Sequence, residues 1–419
     1  MSTAISPSWR ASLPSWLTTS SLPYLVSAIV TLVAARLIPY FYRGDFLLKG
    51  QPPSIFIVLV LFPLTVILWL LYSGTRARGR LLQLFFAGLA LSWVIHLGLM
   101  IHHGDAYGYN AWLFVPYLAM IWLKTPSAEE AWSVLVIFAW LLAAALVYAW
   151  VGEAVGFQAP FPVPPDLHAW ESANYWLPFD GVLGFEGRWP GPFSHNTRAG
   201  LAAAFVIVIG ASRWSKSTIP LILIGGFALC FIMVRSAILA VFTALLILLI
   251  FSTWGVMKRV PLWARFTGLI VIVAGAAGGL FASGAGLTGR QAVWPAFIDL
   301  WRSAPILGVG RSGIMDPSNP AAIYEDALNT FIDELARNGL LGFIIQFATL
   351  GLGLAITLIA AGRGFAGPAA ILIAYLVASQ ADIHHDWVHP SFYVLVIALC
   401  VVASAQWIRT HPKKLVISA

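Results

Sequence analysis

Apolar runs of spanning length, separated by short polar loops, recur along the whole chain. A run of about 18 or more apolar residues is long enough to cross a bilayer as a helix, where every backbone polar group must be satisfied within the segment. The pattern predicts an all-α, polytopic membrane helix bundle of about 12 transmembrane helices. Their expected positions are 22–42, 55–72, 82–101, 111–122, 131–152, 199–211, 219–234, 236–251, 266–282, 329–360, 368–379 and 391–408. The polar, proline-bearing segment 2–20 runs into an apolar stretch long enough to span, so it reads as retained rather than as a cleaved signal.

Two longer loops interrupt this rhythm, 157–196 and 284–328. In the second, Thr288-x-x-Gln291 resembles a capping box, so a helix is expected to start near Thr288. Val293, Phe297, Leu300 and Trp301 then share one helical face, while Arg290, Asp299 and Arg302 lie elsewhere. This predicts an amphipathic helix on the membrane interface, kinked at Pro295. The chain divides as one integral membrane domain: helices in 20–156, a loop at 157–196, helices in 197–283, the large loop 284–328, and helices in 329–410.

Composition supports the membrane reading. Sixty per cent of the 419 residues are hydrophobic, only 10% are charged, and mean hydropathy is +0.85. The net charge of +7 matches basic loops on one side of a membrane rather than nucleic-acid binding. Arg76, Arg78, Arg80, Lys124, Arg213, Lys216, Lys258, Arg259, Arg265, Arg363, Arg409, Lys413 and Lys414 all fall on one predicted face. The loops 102–109 and 382–390 of the opposite face hold no Lys or Arg. With both termini cytoplasmic, the two long loops lie on the outer face of a plasma membrane, where their arginines break the charge trend. Cys230 and Cys400 each sit inside an apolar run and are not expected to pair.

Four polar constellations could carry chemistry. Arg188, His195, Asn196 and Arg198 gather among glycines at the start of the 199–211 helix. Arginine offers a rigid fork of donors for phosphate oxygens, and histidine moves protons near neutrality. Arg235 stands between two apolar runs, where it either snorkels or faces an anion inside the bundle. In the large loop, Gly308-x-Gly310-Arg311 offers backbone N–H groups and a cation to an anion. Glu325, Asp326, Asn329, Asp333 and Glu334 follow as an acidic strip, part helix-dipole complement and part possible base or sugar ligand. The fourth, Asp382, His384, His385, Asp386 and His389, lies on one short loop without a partner motif, so no metal is assigned.

At these residues the sequence resembles the O-antigen ligase and Wzy-type polymerase superfamily of membrane glycosyltransferases. The resemblance rests on Arg188-x-x-Gly191-x-Phe193-x-His195-Asn196, on Gly289-Arg290-x-x-x-Trp294 followed by Pro305-x-x-Gly308-x-Gly310, and on Asn329-Thr-Phe-Ile with Glu334 and Gly339-Leu-Leu-Gly342. It covers the sixth to tenth expected helices, 199–360, well and the rest only through span number. It implies a bacterial plasma-membrane enzyme without cofactor or metal. Its donor would be a polyprenyl-diphosphate-linked glycan, its acceptor a glycan or glycolipid, and its site would open on the outer face. Arg188 and Arg290 would hold the departing diphosphate, with Arg235, Arg198 and Arg311 as further candidates. Asn196, Asn329, Asp333 and Glu334 would line the acceptor side. The histidine that the family places before its Asn motif is Leu328 here. His195, His385 and Glu325 are the candidates to replace it. A transporter or flippase of a lipid-linked or anionic solute is the alternative, followed by a non-catalytic partner in polysaccharide assembly.

Overall fold

The computed structural model describes residues 79–105, 125–154, 196–212, 216–251, 290–324, 327, 329–380 and 392–412, with isolated positions 261, 264 and 267. The expected spans 22–42, 55–72 and 111–122, and all but one position of 266–282, lie outside them. Among the described residues the chain is helical, without strands. Its helices are α1 (Arg80–His103), α2 (Ala128–Ala154), α3 (Asn196–Ser212), α4 (Ile219–Ile232), α5 (Arg235–Ile250), α6 (Arg290–Ser303), the short α7 (Gly310–Ile314), α8 (Thr330–Ala361), α9 (Gly367–Ser379) and α10 (Phe392–Thr410). A 3-10 turn at Pro320–Tyr324 precedes α8.

Among the described residues three helices are long and apolar enough to cross a membrane: Arg80–His103, Ala128–Gly152 and Thr330–Ala361. Helices α3, α4, α5, α9 and α10 are apolar but offer shorter stretches. Outward-facing positions stay apolar, as at Leu84, Leu91, Val94 and Ile101 on α1 and Leu223 on α4. A helix facing water would carry polar residues there, so this surface suits lipid.

Local sequence sets the helix ends. Ser127 and Glu130 cap α2 reciprocally: the Glu130 N–H donates to Ser127 Oγ, and the Ser127 N–H donates to Glu130 Oε2. Helix α4 ends at Met233 in the left-handed region (φ 50°), and Arg235 opens α5 with its side chain exposed. Asn329 caps α8, its Oδ1 accepting from the N–H groups of Phe331 and Ile332.

Helix α3 is the centre of one packing group and touches α2, α4, α5 and α9. From Ala199 to Gly210 every residue is buried, as an all-apolar helix requires. Helix α8 organises the other group, against α1, α6, α9 and α10. Both cysteines are free thiols, Cys400 buried and Cys230 exposed.

One expectation for the large loop changes. The apolar face of α6 is covered by protein: Val293, Phe297 and Leu300 form a small core with Ile314, Ala321, Ala327 and Ala336. The helix is amphipathic as expected, but α7 and α8 cover its stripe, because protein packing is available where the sequence suggested only lipid. Pro295 lies inside α6, which runs through it from Arg290 to Ser303. Its ring leaves the Gln291 carbonyl without an i+4 donor. A break in helical geometry falls at Gly339 inside α8 (φ 61°, ψ −167°).

Candidate functional site

A regular helix would bond the Leu340 N–H to the Ala336 carbonyl. The turn at Gly339 separates them, and the segment after α6 satisfies both. The Leu340 and Leu341 N–H groups donate to the carbonyls of Pro305 and Ile306, at 2.9 and 3.1 Å. The Ala336 carbonyl accepts from the Val309 N–H at 2.8 Å. Gly308 and Gly339, both at positive φ, meet at this seam with no room for a side chain on either. The Pro305–Gly310 segment is thereby docked into the break of α8.

The same segment is fastened to α1. Asp105, just past the end of α1, accepts from the Arg311 N–H at Oδ2 and the Ser312 N–H at Oδ1, both at 2.8 Å. Ser312 Oγ donates to the His103 carbonyl at 3.0 Å, and His103 Nε2 donates to the Leu307 carbonyl at 3.1 Å. Within the Gly308–Arg311 turn, the Gly308 and Val309 N–H groups donate to the Ala304 and Ala336 carbonyls, and the Arg311 N–H, with that of Ser312 just beyond, is taken by the chain's own Asp105. The Arg311 side chain is half-buried.

Helix α6 joins the unit through Trp294, whose Nε1 donates to the Ala327 carbonyl at 3.0 Å. On its polar face Arg302 pairs with Asp299 at 2.9 Å, fully in solvent reach. Such a pair contributes little to stability.

The acidic strip resolves into separate tasks. Besides capping α8, Asn329 donates from Nδ2 to the Gln380 carbonyl at 2.8 Å, tying α8 to the end of α9. Asp333 pairs with Arg337 one turn on and accepts from the Ala327 N–H at 3.2 Å. Glu334 faces α1: its Oε1 lies 2.7 Å from His96 Nε2 and accepts from Asn338 Nδ2 at 3.0 Å. His96 is 1% exposed and Glu334 7%. On the other side of the ring, Nδ1 lies 2.6 Å from the Ser92 carbonyl. A carbonyl only accepts, so Nδ1 carries a hydrogen, and Nε2 and Oε1 share one more proton between them.

Of the residues named from sequence, Asn329, Asp333, Glu334 and Arg311 fall in this unit, and Arg235 is remote from it in the chain, at the head of α5. Arg290 begins α6, and Asn196 and Arg198 lie in the first turn of α3, with their side chains outside the described ones. Arg188, His195, Glu325 and His385 lie outside the described residues. The expected capping box at Thr288 does too. The sequence reading passed over His96 and Asn338, and treated His103 and Asp105 only as members of an outer loop. A histidine inside a predicted span was the available signal for His96, since titratable groups in membrane helices are rarely incidental.

Among the described residues the chain is helical, with apolar helices suited to a membrane and a polar unit where the end of α1 meets the start of α8. No family model matches the chain, and no curated protein does.

Proposed function

We propose that the protein is a metal-independent membrane glycosyltransferase of the O-antigen ligase or polysaccharide polymerase type. It transfers a glycan from a polyprenyl diphosphate carrier to a glycan or glycolipid acceptor. One observation carries the reading. Of the segments on which the resemblance rests, 290–294 packs on 329–342 through the core shared by Val293 and Ala336, and 305–310 joins 329–342 through backbone bonds of Pro305, Ile306 and Val309 with Leu340, Leu341 and Ala336. In this reading about 12 spans cross a bacterial plasma membrane, with both termini inside and the polar unit outside. Arg188 and Arg290 hold the diphosphate and stabilise its developing charge, seconded by Arg235, Arg198 and Arg311. Asn196, Asn329, Asp333 and Glu334 form the acceptor side, and His195, His385 and Glu325 are candidate bases. The test is release of polyprenyl diphosphate from a lipid-linked oligosaccharide by the purified protein, with Arg188→Ala and Arg290→Ala abolishing it. A fully folded wild type that releases none with any acceptor offered sinks the reading.

A second reading, a transporter or flippase of a lipid-linked or anionic solute, is favoured by the His96–Glu334 pair, because titratable pairs inside spans mark solute and proton paths. Movement of labelled lipid-linked oligosaccharide across proteoliposomes, without cleavage of its diphosphate, separates the two.

A further inference from the structure

We infer that Glu334 is the carboxylate that receives the acceptor's hydroxyl proton, through Oε2, and that His96 is its positioning residue. The inference rests on the transferase reading above and assigns a group within it. Glu334 is held asymmetrically. His96 Nε2 and Asn338 Nδ2 both converge on Oε1, while Oε2 has no hydrogen-bond partner among the described residues. Oε2 is not among the buried atoms that lack a partner, so it is reachable from outside the pair and is the oxygen open to a guest. The side chain is also fixed in place. Oε1 lies over Gly342, 2.8 Å from where a β-carbon would stand, so any larger residue at 342 displaces it.

A second observation comes from the same helix. Gln346, one turn past Gly342, is fully buried, and neither its amide nitrogen nor its amide oxygen has a partner. The turn at Gly339 separates positions 334 and 338 from 342 and 346, yet Gly342 still lies against Asn338 and Glu334 Oε1. Past the turn, α8 thus carries a buried amide without a partner among the described residues, four positions beyond the glycine on which the carboxylate rests. That combination fits a polar, hydroxyl-bearing guest rather than lipid tails.

His96 itself is closed to the acceptor. Its Nδ1 is committed to the Ser92 carbonyl and its Nε2 to Glu334, so neither nitrogen has a lone pair to offer. It acts through Glu334, fixing the carboxylate's rotamer and supplying the donor that keeps Oε1 occupied. In the transfer, the acceptor oxygen forms a bond to the anomeric carbon. The bond from that carbon to the carrier's phosphate oxygen breaks, and its electron pair leaves with the diphosphate. The hydroxyl proton passes to Oε2. No histidine at position 328 is required.

The experiment uses the full chain in nanodiscs, with polyprenyl-diphosphate-linked oligosaccharide as donor. Acceptors are a lipid A–core glycolipid and a second copy of the lipid-linked oligosaccharide. Glu334→Gln keeps the shape and both neighbours but cannot take the proton. It is expected to lower kcat by about 10²–10⁴-fold, as loss of a general base does, with donor KM little changed. His96→Ala is expected to lower kcat too, and His96→Gln, which retains an N–H donor, to restore most of it. A role confined to packing would give no such split, because Glu334→Gln would then retain kcat at wild-type melting temperature. That result overturns the assignment while leaving the transferase reading intact. Absence of diphosphate release by wild type overturns the transferase reading, and the assignment with it.

Discussion

Gly308 and Gly339 meet backbone to backbone, each at positive φ (73° and 61°), where the Pro305–Gly310 segment enters the break in α8. A β-carbon on Gly308 would strike the Arg337 carbonyl, and one on Gly339 would strike the carbonyl of Ile306. Neither glycine alone makes the seam. Gly339 opens the helix, and Gly308 lets the incoming chain approach closely enough to satisfy the carbonyl and amides so released.

Replacing Gly339 by Ala is therefore expected to destabilise the protein by about 1–3 kcal/mol for the backbone conformation alone, before the clash is counted. Thermal unfolding in detergent measures it. Hydrogen exchange should show the Leu340 and Leu341 amides losing protection first. Equal stability and unchanged exchange in Gly339→Ala would count against the seam.

The His96–Glu334 pair predicts a large single-mutant cost and a smaller double one. His96→Ala leaves the buried Glu334 carboxyl without the ring nitrogen it shares a proton with, and breaking one side of such a buried pair costs about 3–5 kcal/mol. Glu334→Ala added to it removes the orphaned carboxyl, so the double variant should be more stable than the sum of the singles predicts. A thermodynamic cycle from reversible unfolding checks this; strict additivity would show that the two residues do not interact.

Asp105 holds the start of α7 by accepting from two successive N–H groups. Asp105→Ala should cost about 0.5–2 kcal/mol, the range for lost helix-capping side chains. The effect should be local: limited proteolysis is expected to cut near 310–319 in the variant and to spare wild type. Unchanged cleavage there would mean that Asp105 does not secure the segment.

Asp316 gives the pH prediction. The Ser318 N–H, and then the Ser318 hydroxyl, donate to its carboxylate and hold its pKa below the ordinary 3.8. A depressed folded pKa means that the unfolded chain binds protons first as pH falls. The resulting stabilisation is present above the ordinary value and is lost as pH drops through the lower, folded one. Ser318→Ala removes the smaller of the two lowering interactions, so the titration midpoint of Asp316 should rise part of the way. Carboxyl NMR titration reads it; an unmoved midpoint would assign the whole effect to the backbone donor.

The sequence by itself determined the helices. Apolar periodicity marked α1, α2, α3, α4, α5, α8, α9 and α10 to within a few residues, because helix formation in an apolar run depends on neighbours close along the chain. It also marked the amphipathic stripe of α6. Only the tertiary structure decided what each polar group does. Val293 and Phe297 were legible as apolar, but that Ala336 and Ile314 cover them depends on residues distant in sequence. The Gly308–Arg311 turn was legible as glycine-rich and cationic, but that Asp105, more than two hundred residues earlier, takes the Arg311 and Ser312 N–H groups was not. Glu334 was legible as a carboxylate at a helix start, and His96 as nothing more than a polar residue in a span. Their pairing requires α1 and α8 to pack side by side, a relation fixed by three-dimensional burial and not by any local pattern.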